Sequence, residues 1–108
     1  MSFITAHVLD AAAGVPAAGV EVELTAVDGQ QLGAAVTDGG GRIAEIGPHT
    51  LPPGNYRVAF ATASYFTDQG LEAFYPRVEV VFTVTAGERH YHIPLLLSPY
   101  AYTTYRGS

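Results

Sequence analysis

Val20-Glu21-Val22-Glu23-Leu24-Thr25 alternates apolar and polar residues, and the same rhythm returns in short runs along the chain, each ended by Gly, Pro or Asp. Successive side chains of a strand point to opposite faces, so a run of this kind buries one face and wets the other. Helices, which repeat about every 3.6 residues, find little room in such a pattern. Alternation with frequent turn residues predicts an antiparallel all-β domain.

Residues 3–9 read as a first strand, with Thr5, His7 and Leu9 on one face and Ala6 and Val8 on the other. Residues 10–19 form the loop after it. In residues 20–27 the valines and Leu24 face inward and the carboxylates outward, Asp28-Gly29 is a hairpin signal, and residues 30–37 are the return strand. Asp38-Gly39-Gly40-Gly41 then breaks regularity before a short strand that begins near Arg42. The three glycines are no phosphate loop, because no helix start follows them.

Leu51-Pro52-Pro53-Gly54-Asn55 is another turn, residues 56–62 are a strand, and residues 63–73 lose the alternation and leave room for one short helix. Residues 77–85 and 90–97 are long strands linked by Ala86-Gly87-Glu88, and residues 100–106 are the last strand. Seven or eight strands, with no βαβ rhythm and no internal repeat, predict a two-sheet β-sandwich filling residues 1–108 as a single domain.

Composition narrows what such a sandwich can do. A chain of 108 residues can bury about two thirds of its unfolded surface and needs no staples. It has no cysteine, so disulfides and thiolate metal sites are excluded and no oxidising compartment is implied. No run approaches the roughly 20 apolar residues that span a bilayer, and residues 1–7 lack the regions of a signal peptide, so a cytoplasmic protein without membrane contact is expected. A formal charge of -5, with five arginines and no lysine, argues against a nucleic-acid surface. Hydrophobic residues make up 48% and charged ones 14%, so burial of some apolar surface between subunits is expected.

The polar residues out of place on apolar strand faces are His7 and His92. His90, His92 and Pro94 share a strand face, and one arrangement brings His7 beside them from a neighbouring strand. Two readings follow: a hydrogen-bonded histidine in a packed strand, or a set of three imidazoles suited to zinc or copper, although no carboxylate or cysteine at ligand spacing accompanies them. Arg42, after three glycines, is either a solvated charge at a turn or a guanidinium aimed at a carbonyl or anion. Ser108 is either a frayed end or a polar group held in place. His49, after Pro48, reads as a surface residue.

Six ordered blocks carry a resemblance. They are Thr5-Ala6-His7-Val8-Leu9-Asp10, Gly14-Val15-Pro16-Ala17, Tyr65-Phe66, Phe74-Tyr75-Pro76, the run from His90 to Pro99, and Tyr102-Thr103-Thr104-Tyr105-Arg106-Gly107-Ser108. On these the chain resembles the transthyretin-related 5-hydroxyisourate hydrolases over essentially its whole length. The terminal Tyr-Arg-Gly-Ser, and the histidines matched by His7 and His92, separate the hydrolases of that family from transthyretin, the hormone carrier of the same fold.

The resemblance implies a transthyretin-like β-sandwich that assembles as a homotetramer, with sites in a channel between dimers. It implies hydrolysis of 5-hydroxyisourate to 2-oxo-4-hydroxy-4-carboxy-5-ureidoimidazoline in urate degradation, by water attack on a ring amide, with no metal and no cofactor. The alternative is a noncatalytic transthyretin-like carrier of small molecules. Catalysis falls by resemblance on His7, Arg42, His92 and Ser108, and substrate binding on Arg42, Tyr105 and Ser108; the role of His90 stays open, a place at the channel mouth being one option. One departure is visible: the family commonly has Asp-Gly-Arg where this chain has Gly40-Gly41-Arg42. The lost aspartate could have shaped the turn, whereas glycine keeps it permissive.

Overall fold

The computed structural model describes residues 2–108. Its first strand, β1 (Ile4–Asp10), buries Ile4, Ala6 and Val8 on one side and leaves Thr5, His7 and Leu9 half-buried on the other. Both edges of β1 are paired. One edge meets β8 (Tyr91–Leu97) in parallel, and the other meets β5 (Arg42–Ile46) and then the two-residue β2 (Val15–Pro16), both antiparallel. With β9 (Tyr102–Thr104) on the far side of β8, these strands make a five-stranded sheet.

The second sheet runs in the order β4 (Gln31–Val36), β3 (Glu21–Ala26), β6 (Gly54–Phe60), β7 (Val78–Val84), and the short α1 (Thr62–Thr67) follows β6. Alternation decides the inward faces. Val22 and Leu24 of β3, Val58 and Phe60 of β6, and Ile93, Leu95 and Leu97 of β8 are all buried. Between β1 and β5 the register shifts by a bulge, because Ile4 faces Ile46 while Ala6 faces Ile43. The extra residue on β5 lets both isoleucines point into the core. Asp10 is buried at the end of β1, where its carboxylate accepts the backbone N–H groups of Ala12 and Ala13 and the hydroxyl of Tyr65, 2.8 Å away. That last bond ties α1 to the first sheet.

Three features differ from what the sequence predicts. The β1–β8 pairing is parallel, whereas alternation alone suggested antiparallel neighbours throughout. These two strands are joined through the entire second sheet, so no hairpin constrains their direction. Val15 and Pro16 form a ninth strand inside the predicted loop of residues 10–19. Two residues are too few to carry a period, and Pro16, which has no N–H to donate, suits an edge.

The last strand is also shorter than residues 100–106. β9 spans three residues, after which pairing lapses and resumes in the same register at a bridge between His92 and Gly107. The lapse lies opposite Pro94. His92 offers its carbonyl to the N–H of Gly107, so its neighbour two along, Pro94, turns the same way and has no N–H to offer the tail.

No helix among the described residues is long and apolar enough to cross a membrane. Leu95, fully buried at the centre of β8, tests the packing: Leu95→Ala should lower the free energy of chemical unfolding by about 2–5 kcal/mol, whereas exposed Val27→Ala should change it by less than about 0.5 kcal/mol.

Candidate active site

The outward face of the five-stranded sheet carries the unusual polar residues, and register brings them together. In the parallel ladder Thr5 lies beside His92 and His7 beside Pro94, while across the other edge of β1 His7 faces Arg42. Residues two apart on one strand share a face, so Thr5, His7, Arg42 and His92 all project from the same side.

The turn before β5 sets two of these groups. Asp38 Oδ1 accepts the backbone N–H groups of Gly40 and Arg42, each at 2.9 Å, and those bonds hold its carboxyl below the usual carboxylate range. Gly41 has a φ of 75° and its backbone passes against the Val8 carbonyl, so no side chain fits there. Asp38 therefore supplies the turn-shaping carboxylate that position 40 lacks, and Arg42 leaves the turn in register with His7. The Gly40 carbonyl lies 2.9 Å from His7 Nε2. A carbonyl can only accept, so Nε2 of His7 carries a proton and its Nδ1 is the basic nitrogen of the neutral ring.

His92 is held from behind. Its Nδ1 lies 2.8 Å from Thr5 Oγ1, and the same hydroxyl is 2.9 Å from Nε2 of His90. Burial pushes the His92 pKa down, and the nearby His90, His7 and Arg42 push it further the same way. The ring is neutral at neutral pH and Nδ1 is engaged, which leaves Nε2 as its nitrogen for chemistry.

The tail closes over this ring. Gly107 donates to the His92 carbonyl at 2.8 Å, and a Cβ on Gly107 would sit 2.5 Å from His92 Cδ2 and 3.2 Å from Pro94 Cγ. Glycine is the residue that lets the chain lie flat there. Arg106 anchors the approach: its guanidinium stacks 4.4 Å above the Tyr91 ring and lies 3.5 Å from the Glu88 carboxylate. Ser108 then joins Thr5, Arg42, His90 and His92 around an open pocket of about 330 Å³.

Of the residues singled out in the sequence, Arg42, His92 and Ser108 line one pocket. His7 lies on the same face beside them. Tyr105 does not line that pocket; it borders a neighbouring one of about 310 Å³ between β7 and β8, which reaches His92 from the other side. His49 is exposed. Among the described residues no three His, Asp or Glu side chains gather at metal-ligating distances. A larger depression on the second sheet holds Glu21, Glu23, Arg57, Arg77 and Glu79 and no histidine, and Arg57 and Arg77 pair with Glu79 there.

Sequence reasoning missed Thr5, Asp38 and the link to His90. Thr5 was visible two residues before His7 on the same face, but its partner appears only once the parallel register is known. If Gly107 seats the tail, Gly107→Ala should expose the residue 107 amide to much faster hydrogen exchange. Global stability should stay within about 0.5 kcal/mol of wild type, because the tail lies outside the core.

The comparisons with known proteins fit this geometry. The model of the family described as HIUase/Transthyretin matches residues 4–107. Mouse 5-hydroxyisourate hydrolase is 43% identical over 111 residues, covering 97% of this chain and 94% of the mouse protein. Among solved structures, 5-hydroxyisourate hydrolase of Klebsiella pneumoniae superposes with a TM-score of 0.91 at 36% identity, covering 99% of this chain and 100% of that one. Sea bream transthyretin in complex with thyroxine gives a TM-score of 0.89 at 40% identity, covering 97% and 94%. A sandwich with this outline, matched along nearly its full length by sequence and by shape, belongs to the HIUase/Transthyretin family.

Proposed function

We propose that this protein hydrolyses 5-hydroxyisourate to 2-oxo-4-hydroxy-4-carboxy-5-ureidoimidazoline, the ring-opening step of urate degradation, on the outward face of the five-stranded sheet. The observation that carries the reading is the meeting of neutral His92, Arg42 and Ser108 at one pocket. Relatives that bear the hydrolase name lend it support.

In this reading His92 is the general base. Its Nε2 takes a proton from water as the water oxygen bonds to the ring amide carbonyl, and the Arg42 guanidinium stabilises the negative charge that develops on that oxygen. The ring C–N bond then breaks and the leaving nitrogen recovers the proton. His7, its Nε2–H fixed by Gly40, orients the attacking water with Nδ1. Ser108 closes the pocket and bonds the substrate. Imidazoles move protons near neutral pH by themselves, so no step needs a metal or an organic cofactor.

The assembly in this reading is a homotetramer whose sites line a channel. Both sheets end on the same side in unpaired strands, β7 and β9, and Val81 and Tyr102 are exposed there. Free edges of this kind are open to pairing with a second copy. Light scattering should give four times the 11.4 kDa chain mass; a monomer would refute the assembly. A cytoplasmic setting suits a chain without cysteine.

A transthyretin-like carrier is the rival, favoured by the likeness to sea bream transthyretin. It requires saturable binding without acceleration. The decay of freshly generated 5-hydroxyisourate in ultraviolet absorbance separates the two. Wild type should accelerate it, His92→Ala should lower kcat by about 10²–10⁴, Arg42→Ala by about 10²–10³, and loss of Ser108 should weaken it. Because the lowered pKa keeps His92 unprotonated, kcat/KM should hold as pH falls through about 6.5 and drop only below it. Wild-type rates in the His92 variant would reject the assignment.

A further inference from the structure

We propose that the Thr5 hydroxyl couples His92 to His90, so that the two imidazoles share one added proton and His90 acts as a positioning residue behind the general base. The proposal rests on the hydrolase reading above and concerns how its base is kept ready.

The geometry restricts the arrangement. Thr5 Oγ1 has one proton and sits 2.8 Å from His92 Nδ1 and 2.9 Å from His90 Nε2. With its proton directed at one ring, it accepts from the other. When His92 donates from Nδ1 and Thr5 donates to His90, Nε2 of His92 is free to accept. When the chain runs the other way, Nε2 of neutral His92 carries a proton instead. Both hydrogen bonds persist in either direction, so the switch needs no rotation of a ring.

The two arrangements describe a proton path. Water gives a proton to His92 Nε2, the Nδ1 proton passes to Thr5 Oγ1, and the hydroxyl proton of Thr5 passes to His90 Nε2. No atom is gained or lost along the path, and the positive charge has moved from His92 to His90, whose ring centroid is 6.5 Å away. The path reverses when the leaving nitrogen takes its proton from His92.

The surroundings give this displacement a purpose. The charged groups that act on His92 are His90 from its own strand, His7 from β1 and Arg42 from β5, the tail residues Tyr105 and Arg106 border its other side, and no Asp or Glu is among them. No Asp or Glu side chain lines the pocket, and Glu88, two residues before His90, is paired with Arg106. Where other hydrolases set an aspartate behind the histidine to stabilise its charged form, this site has a hydroxyl and a second imidazole. Moving charge to His90 takes it two residues further along the chain from the level of Arg42, which pairs with His7.

The test uses the full-length protein with 5-hydroxyisourate as probe. T5V, which keeps the shape of the side chain and removes the hydroxyl, should lower kcat about 10- to 100-fold, as for groups that orient a histidine from behind, with KM little changed. T5S should restore most of it. H90Q keeps an amide for Thr5 but holds no titratable proton, and should lose kcat to a similar degree. T5V/H90Q should be no worse than the poorer single variant, because a coupled unit fails once.

Wild-type kcat in T5V, or losses that multiply in the double variant, would overturn the coupling. A second readout needs no turnover. Histidine side-chain ¹⁵N titration should show His90 and His92 responding to a shared protonation in wild type and separately in T5V; separate titration in wild type would also overturn it. A wild-type protein that fails to accelerate substrate decay would defeat the hydrolase reading alone and leave the titration result to decide the coupling.

Discussion

The parallel pairing of β1 with β8 is the constraint on which everything else rests. It places Thr5 beside His92 and, two residues on, His7 beside Pro94, and the other edge of β1 then brings in Arg42. A slip of one residue would turn every one of these side chains to the opposite face. Such a slip is opposed by Ile4, Ala6, Val8, Ile93 and Leu95, whose burial fixes the same register from the core side. The hydrophobic core and the polar site are thus two faces of one ladder, and the force that packs the first also aligns the second.

Around that ladder, two short segments finish the site by different means. The 38–42 turn is shaped by a side chain, since Asp38 collects two backbone N–H groups and Gly41 tolerates the close approach to Val8. The tail is shaped by the absence of one, since Gly107 lies where any Cβ would strike His92. Arg106, stacked on a tyrosine of the core-facing side and paired with Glu88, anchors the same segment from outside. Neither segment belongs to the core, so substitutions there should alter the site before they alter the fold.

Much of the fold was legible in the sequence because alternation reports burial directly. Val20, Val22, Leu24 and the carboxylates between them stand as the pattern predicts, and the Asp28-Gly29 turn and the helix after β6 fall where regularity breaks. What stayed hidden was non-local. Parallel direction, the two-residue β2 and the pairing of Thr5 with two histidines depend on which strands meet, and one chain's alternation cannot encode that. The chemistry-bearing residues were visible one at a time, whereas the part Asp38 plays in holding the turn before Arg42 shows only in the loop geometry.

The same scaffold serves proteins named as hydrolases and proteins named as transthyretins, so outline alone does not separate them. In the hydrolase reading the distinction is local: a neutral imidazole with its back nitrogen engaged, an arginine two strands away on the same face, and a tail seated by glycine. The account's central claim is that chemistry occurs at this face, and a crystal structure with a slowly reacting purine-like analogue of 5-hydroxyisourate tests it most directly. The analogue should lie with a ring carbonyl at the Arg42 guanidinium and its carbonyl carbon within reach of a water bonded to His92 Nε2. An analogue bound instead between β7 and β8, or on the second sheet, with His92 and Arg42 untouched, would contradict it.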